Sequence, residues 1–336
     1  MGRALILGRP APIGARPLTM VERPRPEAGA GELLVAVEAC GVCRTDLHVV
    51  EGDLAPHRSP IVPGHEVVGR VAGLGPGASG FAPGDRVGVA WLHASCGRCR
   101  FCALGRENLC VAPRFTGYDA DGGYADHVVV PAAFAYHLPE GPPAAALAPL
   151  LCAGIIGYRA YRRSRARKGT RLGLYGFGAS AHIVIQIARH EGCRVYVATR
   201  GERHRRLAGA MGAAWVGDTR AAPPEPLDAA ILFAPAGDLV PVALAALDRG
   251  GTLAVAGIHL SAVPPLDYAA HLFQERNLVS VTANTRADGR ALLALAAEIP
   301  LACVTESFPL ARANEALRRL KEDEIEGAAV LEVGAG

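Results

Sequence analysis

The chain has no run of about 18 uninterrupted apolar residues, the length a helix needs to cross a bilayer. Its N-terminus lacks the charged start, apolar middle and small-residue cleavage site of a secretory signal. No block of like charge extends beyond Arg162, Arg163, Arg165, Arg167 and Lys168, and the net charge is only +3. Such a balance demands neither nucleic acid nor an acidic surface as partner, and the basic cluster is expected to be a solvated helix face. Internal repeats and low-complexity linkers are missing as well. The expectation is a soluble, cytoplasmic protein with no nucleic-acid or membrane partner.

What is present points to a globular fold. With 336 residues, half of them hydrophobic, the chain can bury one or two substantial cores, and two domains are the natural division. Forty glycines and twenty-five prolines without a fixed period imply many tight turns, as where strands alternate with helices. Nine cysteines would suit disulfides, but clustered thiols in a long chain of this kind are more often metal ligands.

Short apolar, β-branched segments at 32–38, 66–71 and 85–89, punctuated by glycine and proline, predict a β-rich first domain. Helical periodicity is expected to be slight until the alanine-rich stretch 144–151. From Thr170 the texture changes to strand, glycine-rich turn, helix 180–191, strand RVYVAT and helix 204–211, a β-α-β unit. Further strands at 229–233, 252–257 and 278–282, with helices such as 240–247 between them, imply a parallel sheet covered by helices. Two helices, 286–298 and 311–321, and a strand at 327–333 complete the chain.

The string CGRCRFCALGRENLC sets Cys96, Cys99, Cys102 and Cys110 at spacings x2, x2 and x7. One short loop of this kind wraps four sulfurs around a tetrahedral ion at about 2.3 Å and leaves no open position, which makes the site structural. An iron–sulfur cluster and disulfides are the competing readings. Three more candidate ligands lie far apart: Cys43 in GVCRTDLH, His65 in PGHE and Cys152 in PLLCAG. Singly, each reads as ordinary filler.

Between strand 171–175 and a helix lies GFGASA, with glycines at 176 and 178 and alanine in the third glycine position. Such a turn lets backbone approach a pyrophosphate, whose charge the helix N-terminus stabilises.

GVCRTDLH, PGHEVVGRV, the four-cysteine loop and a cysteine ahead of the glycine-rich turn, in that order across nearly the whole chain, resemble the zinc-dependent medium-chain alcohol dehydrogenases. The resemblance implies an α/β fold, with a GroES-like β-rich catalytic domain at 1–153 and 287–336 and a Rossmann doubly wound parallel sheet at 154–286. It implies one catalytic and one structural zinc per chain, the former on Cys43, His65 and Cys152, a ligand set of the type that leaves a fourth position open. The activity implied is hydride transfer between alcohols and aldehydes or ketones and a nicotinamide cofactor. By the same resemblance Asp46 and Glu66 orient the ligands, Thr45 hydrogen-bonds the reacting oxygen, His48 relays its proton to solvent, and Arg44 with Gly176 and Gly178 holds the pyrophosphate. Trp91 matches a pocket-lining position, and Ile156 stands where relatives often carry threonine near the nicotinamide. A homo-oligomer, dimer or tetramer, is expected on the same ground.

About twenty residues past the turn, NAD-specific enzymes carry an acid for the ribose 2′-hydroxyl. Here Thr199 and Arg200 stand there, with Arg203 and Arg205 close behind. The missing carboxylate and the guanidinium favour a 2′-phosphate, so NADP is expected over NAD. Alternatives are a polyol or sugar dehydrogenase of the same fold and a non-catalytic zinc-holding, nucleotide-sensing scaffold. Cys40, Cys193 and Cys303 fit neither thiol pattern and are expected to be buried fillers.

Overall fold

The computed structural model describes residues 1–334. The chain forms two compact units, one of residues 1–152 with 283–336 and one of residues 153–282. No single helix among the described residues is long and apolar enough to cross a membrane.

The first unit opens with an antiparallel hairpin of β1 (Gly2–Leu7) and β2 (Leu18–Arg23), which the glycine and proline around it concealed in the sequence. Strand β3 (Glu32–Val42) is nearly continuously buried. It runs straight into α1 (Arg44–Glu51), where Cys43 is the N-cap. This helix departs from the expectation of little helix before residue 144. Eight residues are too few to display an apolar period, and the signal lies in the cap: the Asp46 carboxylate accepts the Cys43 backbone N–H at 2.9 Å, satisfying one orphan donor of the first turn. Strands β4 (Glu66–Leu74), β5 (Arg86–Val89) and β6 (Leu92–Ala94) follow, then α2 (Arg100–Ala103), β7 (Arg114–Phe115), β8 (His127–Pro131), β9 (Ala135–His137) and α3 (Ala144–Leu147).

The second unit begins with α4 (Ala153–Arg163), where Arg162 and Arg163 are exposed as expected. There follow β10 (Arg171–Tyr175), α5 (Ala179–His190), β11 (Arg194–Ala198), α6 (Glu202–Ala210), β12 (Trp215–Gly217), β13 (Leu227–Leu232), α7 (Leu239–Ala245), β14 (Leu247–Val255), α8 (Tyr268–His271) and β15 (Asn277–Ser280). Its six strands are all parallel, in the order β12-β11-β10-β13-β14-β15. The order reverses between β10 and β13, and outside such a reversal, at the carboxyl ends of the strands, doubly wound sheets bind ligands.

The chain then re-enters the first unit with α9 (Arg286–Glu298), β16 (Thr305–Pro309), α10 (Ala313–Lys321) and β17 (Ala328–Glu332). Its main sheet runs β16-β17-β3-β4-β5-β9, with β8 also paired to β3. Strand β17 lies antiparallel to β3 with Ala329 opposite Val42, so the end of the chain braces the strand that delivers Cys43. The core of this unit gathers side chains from both segments, among them Val35, Val37, Val67, Val89, Leu317 and Leu331.

Candidate metal centres and nucleotide turn

Three sequence-distant segments meet where β3 ends. Cys43 caps α1, His65 and Glu66 sit at the start of β4, and Cys152 closes the first unit. One ligand atom from each of Cys43, His65, Glu66 and Cys152 lies within 4.8 Å of all the others. The two sulfurs are 3.9 Å apart. His65 and Glu66 are buried, and the Cys43 and Cys152 residues are partly so.

Asp46 organises the cluster from behind. One oxygen of its carboxylate takes the Cys43 N–H, and the other stands 2.8 Å from His65 Nδ1, in a fully buried pair. With Nδ1 occupied, Nε2 turns toward the sulfurs, and it is buried without a hydrogen-bond partner. A buried imidazole nitrogen left unpaired is costly unless something that takes a lone pair sits there. The electrostatics agree: the bond with Cys152 holds the Cys43 thiol well below the usual range against the opposing effect of burial, with His65 adding to the lowering. Burial would lower His65, but Asp46 and Cys43 outweigh it and raise its pKa well above the ordinary histidine value. Burial, then the Cys43 charge, pushes the Glu66 carboxyl up. Two thiols, an imidazole nitrogen and a carboxylate, drawn together with surplus negative charge, suit a zinc ion.

Glu66 reaches the cluster because Gly41 leaves it room: a Cβ at position 41 would stand 1.9 Å from Glu66 Oε2. The sequence suggested an orienting role for Glu66; the structure places one of its oxygens within 4.8 Å of the candidate donor atoms of Cys43, His65 and Cys152. Thr45 is buried, its hydroxyl 3.7 Å from Cys43 Sγ. His48, one turn along α1, pairs through Nδ1 with the half-exposed Asp53 at 2.8 Å. The Trp91 ring meets His65 edge-on at 5.0 Å and stacks on Phe115 at 4.8 Å, forming an aromatic wall beside the cluster. Cys40 and Cys193 are buried, but Cys303 is only partly so, a correction to its expected role as filler.

The loop cysteines Cys96, Cys99, Cys102 and Cys110 also converge within 4.8 Å. Backbone donors point at their sulfurs: Cys110 Sγ accepts from the N–H groups of Cys96 and Ala112 at 3.2 and 3.4 Å. The N–H groups of Cys102 and Val111 bring the Cys99 thiol down to about 6. Amides aimed at sulfur stabilise thiolates, and four thiolates make a closed site of the structural zinc type.

In the second unit the chain leaves β10 through Gly176, which has φ +91° and whose Cβ would meet the Ala234 nitrogen at 2.9 Å. Gly178 is the N-cap of α5, with nothing within 4 Å of its Cβ position. A side chain there would fill the approach to the helix N-terminus, where backbone donors attract an anion. Ala181, in the third fingerprint position, is fully buried. Thr199 is buried at the end of β11, its N–H bound to Gly217 O at 3.0 Å. Arg200 is exposed and makes no ion pair among the described residues, while Arg205 is engaged with Glu202 and Asp218. Arg44, in the first unit, is half-exposed and 3.8 Å from Asp323. Ile156 lies partly buried on α4.

Residues 29–140 match the alcohol dehydrogenase GroES-like domain, and residues 181–298 match the zinc-binding dehydrogenase domain. The protein named "Probable alcohol dehydrogenase AdhA" of Mycobacterium tuberculosis is 57% identical, covering 96% of this chain and 95% of that protein. A cinnamyl alcohol dehydrogenase from Sorghum bicolor superposes with a TM-score of 0.89 at 28% identity, covering 98% of this chain and 97% of that one. An acetophenone reductase from Geotrichum candidum, solved in complex with NAD, gives 0.88 at 25% identity over 98% and 97%.

Proposed function

The chain belongs to the zinc-dependent medium-chain dehydrogenase family, and from that premise we propose an alcohol dehydrogenase holding a catalytic zinc on Cys43, His65 and Cys152 and preferring NADP(H). It is an enzyme, an oxidoreductase of alcohols and of aldehydes or ketones. The observation that carries the site assignment is the buried, unpaired Nε2 of His65 facing two thiols and a carboxylate. We assign residues 1–152 and 283–336 to catalysis and zinc binding, and residues 153–282 to the nucleotide.

Bound at this cluster, zinc supplies a Lewis acid that eases loss of the alcohol proton or polarises a carbonyl. The chain does the rest. Asp46 fixes the ring of His65 and the backbone of Cys43, so the donors keep their directions through turnover. Glu66 stands ready as an additional oxygen donor. The Thr45 hydroxyl orients the substrate oxygen and takes its proton while giving up its own, and His48, partly buried on α1 and held by the half-exposed Asp53, exchanges a proton with solvent. Trp91 and Phe115 exclude water from one side and favour slim or flat substrates. The Cys96, Cys99, Cys102 and Cys110 loop holds a second, structural zinc.

In the nucleotide unit, Gly176 and Gly178 bring backbone against the pyrophosphate at the N-terminus of α5. The unpaired guanidinium of Arg200 beside Thr199 is free for a 2′-phosphate. The sheet ends in the edge strand β15, near which Leu278, Tyr268 and Phe273 are exposed. An uncovered apolar edge supports a homo-oligomer.

Zinc analysis with a steady-state screen of primary, secondary and aromatic alcohols and their carbonyl counterparts tests this reading. Two zincs per chain and a higher kcat/KM with NADP(H) are expected. Zinc-loaded protein inert toward every substrate would reject the active-site assignment, and a strong NADH preference would reject the role of Arg200.

A further inference from the structure

The first unit contains a cavity of about 240 Å³ whose lining includes Arg3, Arg23, Arg25, Arg58, Arg114 and His127. None of the proposed metal ligands lines it. Its acids do not neutralise it. Its five arginines face three lining acids, Glu27, Glu32 and Asp121; Asp121 is shared between Arg23 at 3.0 Å and Arg58 at 3.6 Å, and Arg3 is paired at 2.9 Å with Asp126, outside the lining. Among the described residues Arg114 makes no ion pair, and Arg25 has only a 3.3 Å bond to the Ala72 carbonyl. The Glu32 carboxylate accepts the Gly29 N–H. His127 Nδ1 is buried without a partner. The histidines in the wall sense the surplus: burial first, and then Arg114, lowers His93 to about 4, while burial and then Arg25 lowers His127.

Guanidinium groups around a concave space, with fewer carboxylates than they can use, make a receptor for oxyanions. The volume suits a metabolite, not a chain. We propose that this cavity binds a small ligand carrying two or more carboxylate or phosphate charges, apart from the alcohol and the nucleotide. Arg25 and Arg114 supply the unpaired charge, and Arg23 and Arg58 are drawn partly from Asp121. Because Asp121 also accepts the Val62 N–H at 3.2 Å, and Gly122 bonds to Val62 O and Gly123 to Gly64 O, the ligand would press on the backbone that carries His65.

The test is calorimetric titration of the zinc-loaded full chain with citrate and with pyrophosphate, against sodium chloride of equal ionic strength, with and without saturating NADP. Binding at one site per chain that survives NADP is expected. The doubly substituted Arg25→Gln, Arg114→Gln protein should bind about tenfold or more weakly, since each loses a charge-assisted bond. Glu27→Gln removes an exposed carboxylate from the lining and should bind more tightly, which keeps the test decisive if the double variant misfolds. No saturable binding by either anion, displacement by NADP, or weaker binding by Glu27→Gln would overturn the proposal.

Discussion

At the scale of single residues, the chemistry rests on which nitrogen of His65 is left over. Asp46 takes Nδ1, and a carboxylate behind a ligating imidazole sets the ring's tautomer and donor strength. Asp46→Asn is therefore expected to weaken zinc retention by about 10- to 100-fold, read as zinc remaining after dialysis against graded chelator. Retention equal to the parent protein would remove Asp46 from the site. The convergence of Cys43, His65 and Cys152 was legible because their flanking residues are distinctive. The place of Glu66 was not, because it depends on a side chain that is missing at Gly41. Another histidine went unread. His182 on α5 is 1% exposed, neither ring nitrogen has a hydrogen-bond partner, and burial lowers its pKa to about 4. The unfolded chain titrates this ring near 6.5, so between pH 6.5 and 4 the unfolded state binds the extra proton and folding weakens as pH falls. Roughly 3 kcal/mol is at stake across that window. His182→Leu should flatten the pH dependence of the unfolding temperature there, and an unchanged slope would contradict the assignment.

At the scale of elements, the site is a set of junctions: β3 into α1 at Cys43, a loop into β4 at His65. The α1 cap explains why a short segment with two adjacent valines is helical at all. Gly41, one residue before the end of β3, is where Glu66 crosses the backbone. Gly41→Ala must displace that buried side chain and should cost about 1–3 kcal/mol, as overpacking does. Calorimetry would show a lower unfolding temperature, and an unchanged one would mean Glu66 is free to move aside. The four-cysteine loop has little regular structure, a four-residue helix, one 3-10 turn and loops, so the proposed zinc would be its main tie. Cys99→Ser is expected to lose one zinc per chain and to unfold at lower temperature. Full zinc content in that variant would point to another ligand. The spacing made this loop plain in the sequence, whereas hairpin β1–β2 left no comparable trace.

At the scale of the whole molecule, the change of texture after residue 170 announced the parallel sheet, because buried parallel strands read as apolar runs between helices. The sequence was less forthcoming about the main sheet of the first unit, since pairing between distant strands leaves no local signature. Strand β17 is the case in point. It is 287 positions from β3 in the closest pairing, Ala329 with Val42. Deleting residues 328–336 should abolish zinc retention at the Cys43 cluster while leaving the parallel-sheet unit folded. Undiminished binding would show that β3 can stand without its brace.

That pairing also imposes an order of events during synthesis. A ribosome that has joined residue 152 has already incorporated all the proposed donors for the reactive ion, yet the scaffold that aims the first of them is still untranslated. The nascent protein must carry bare thiols through the making of its other half, exposed to stray metals and oxidants until its final strand arrives.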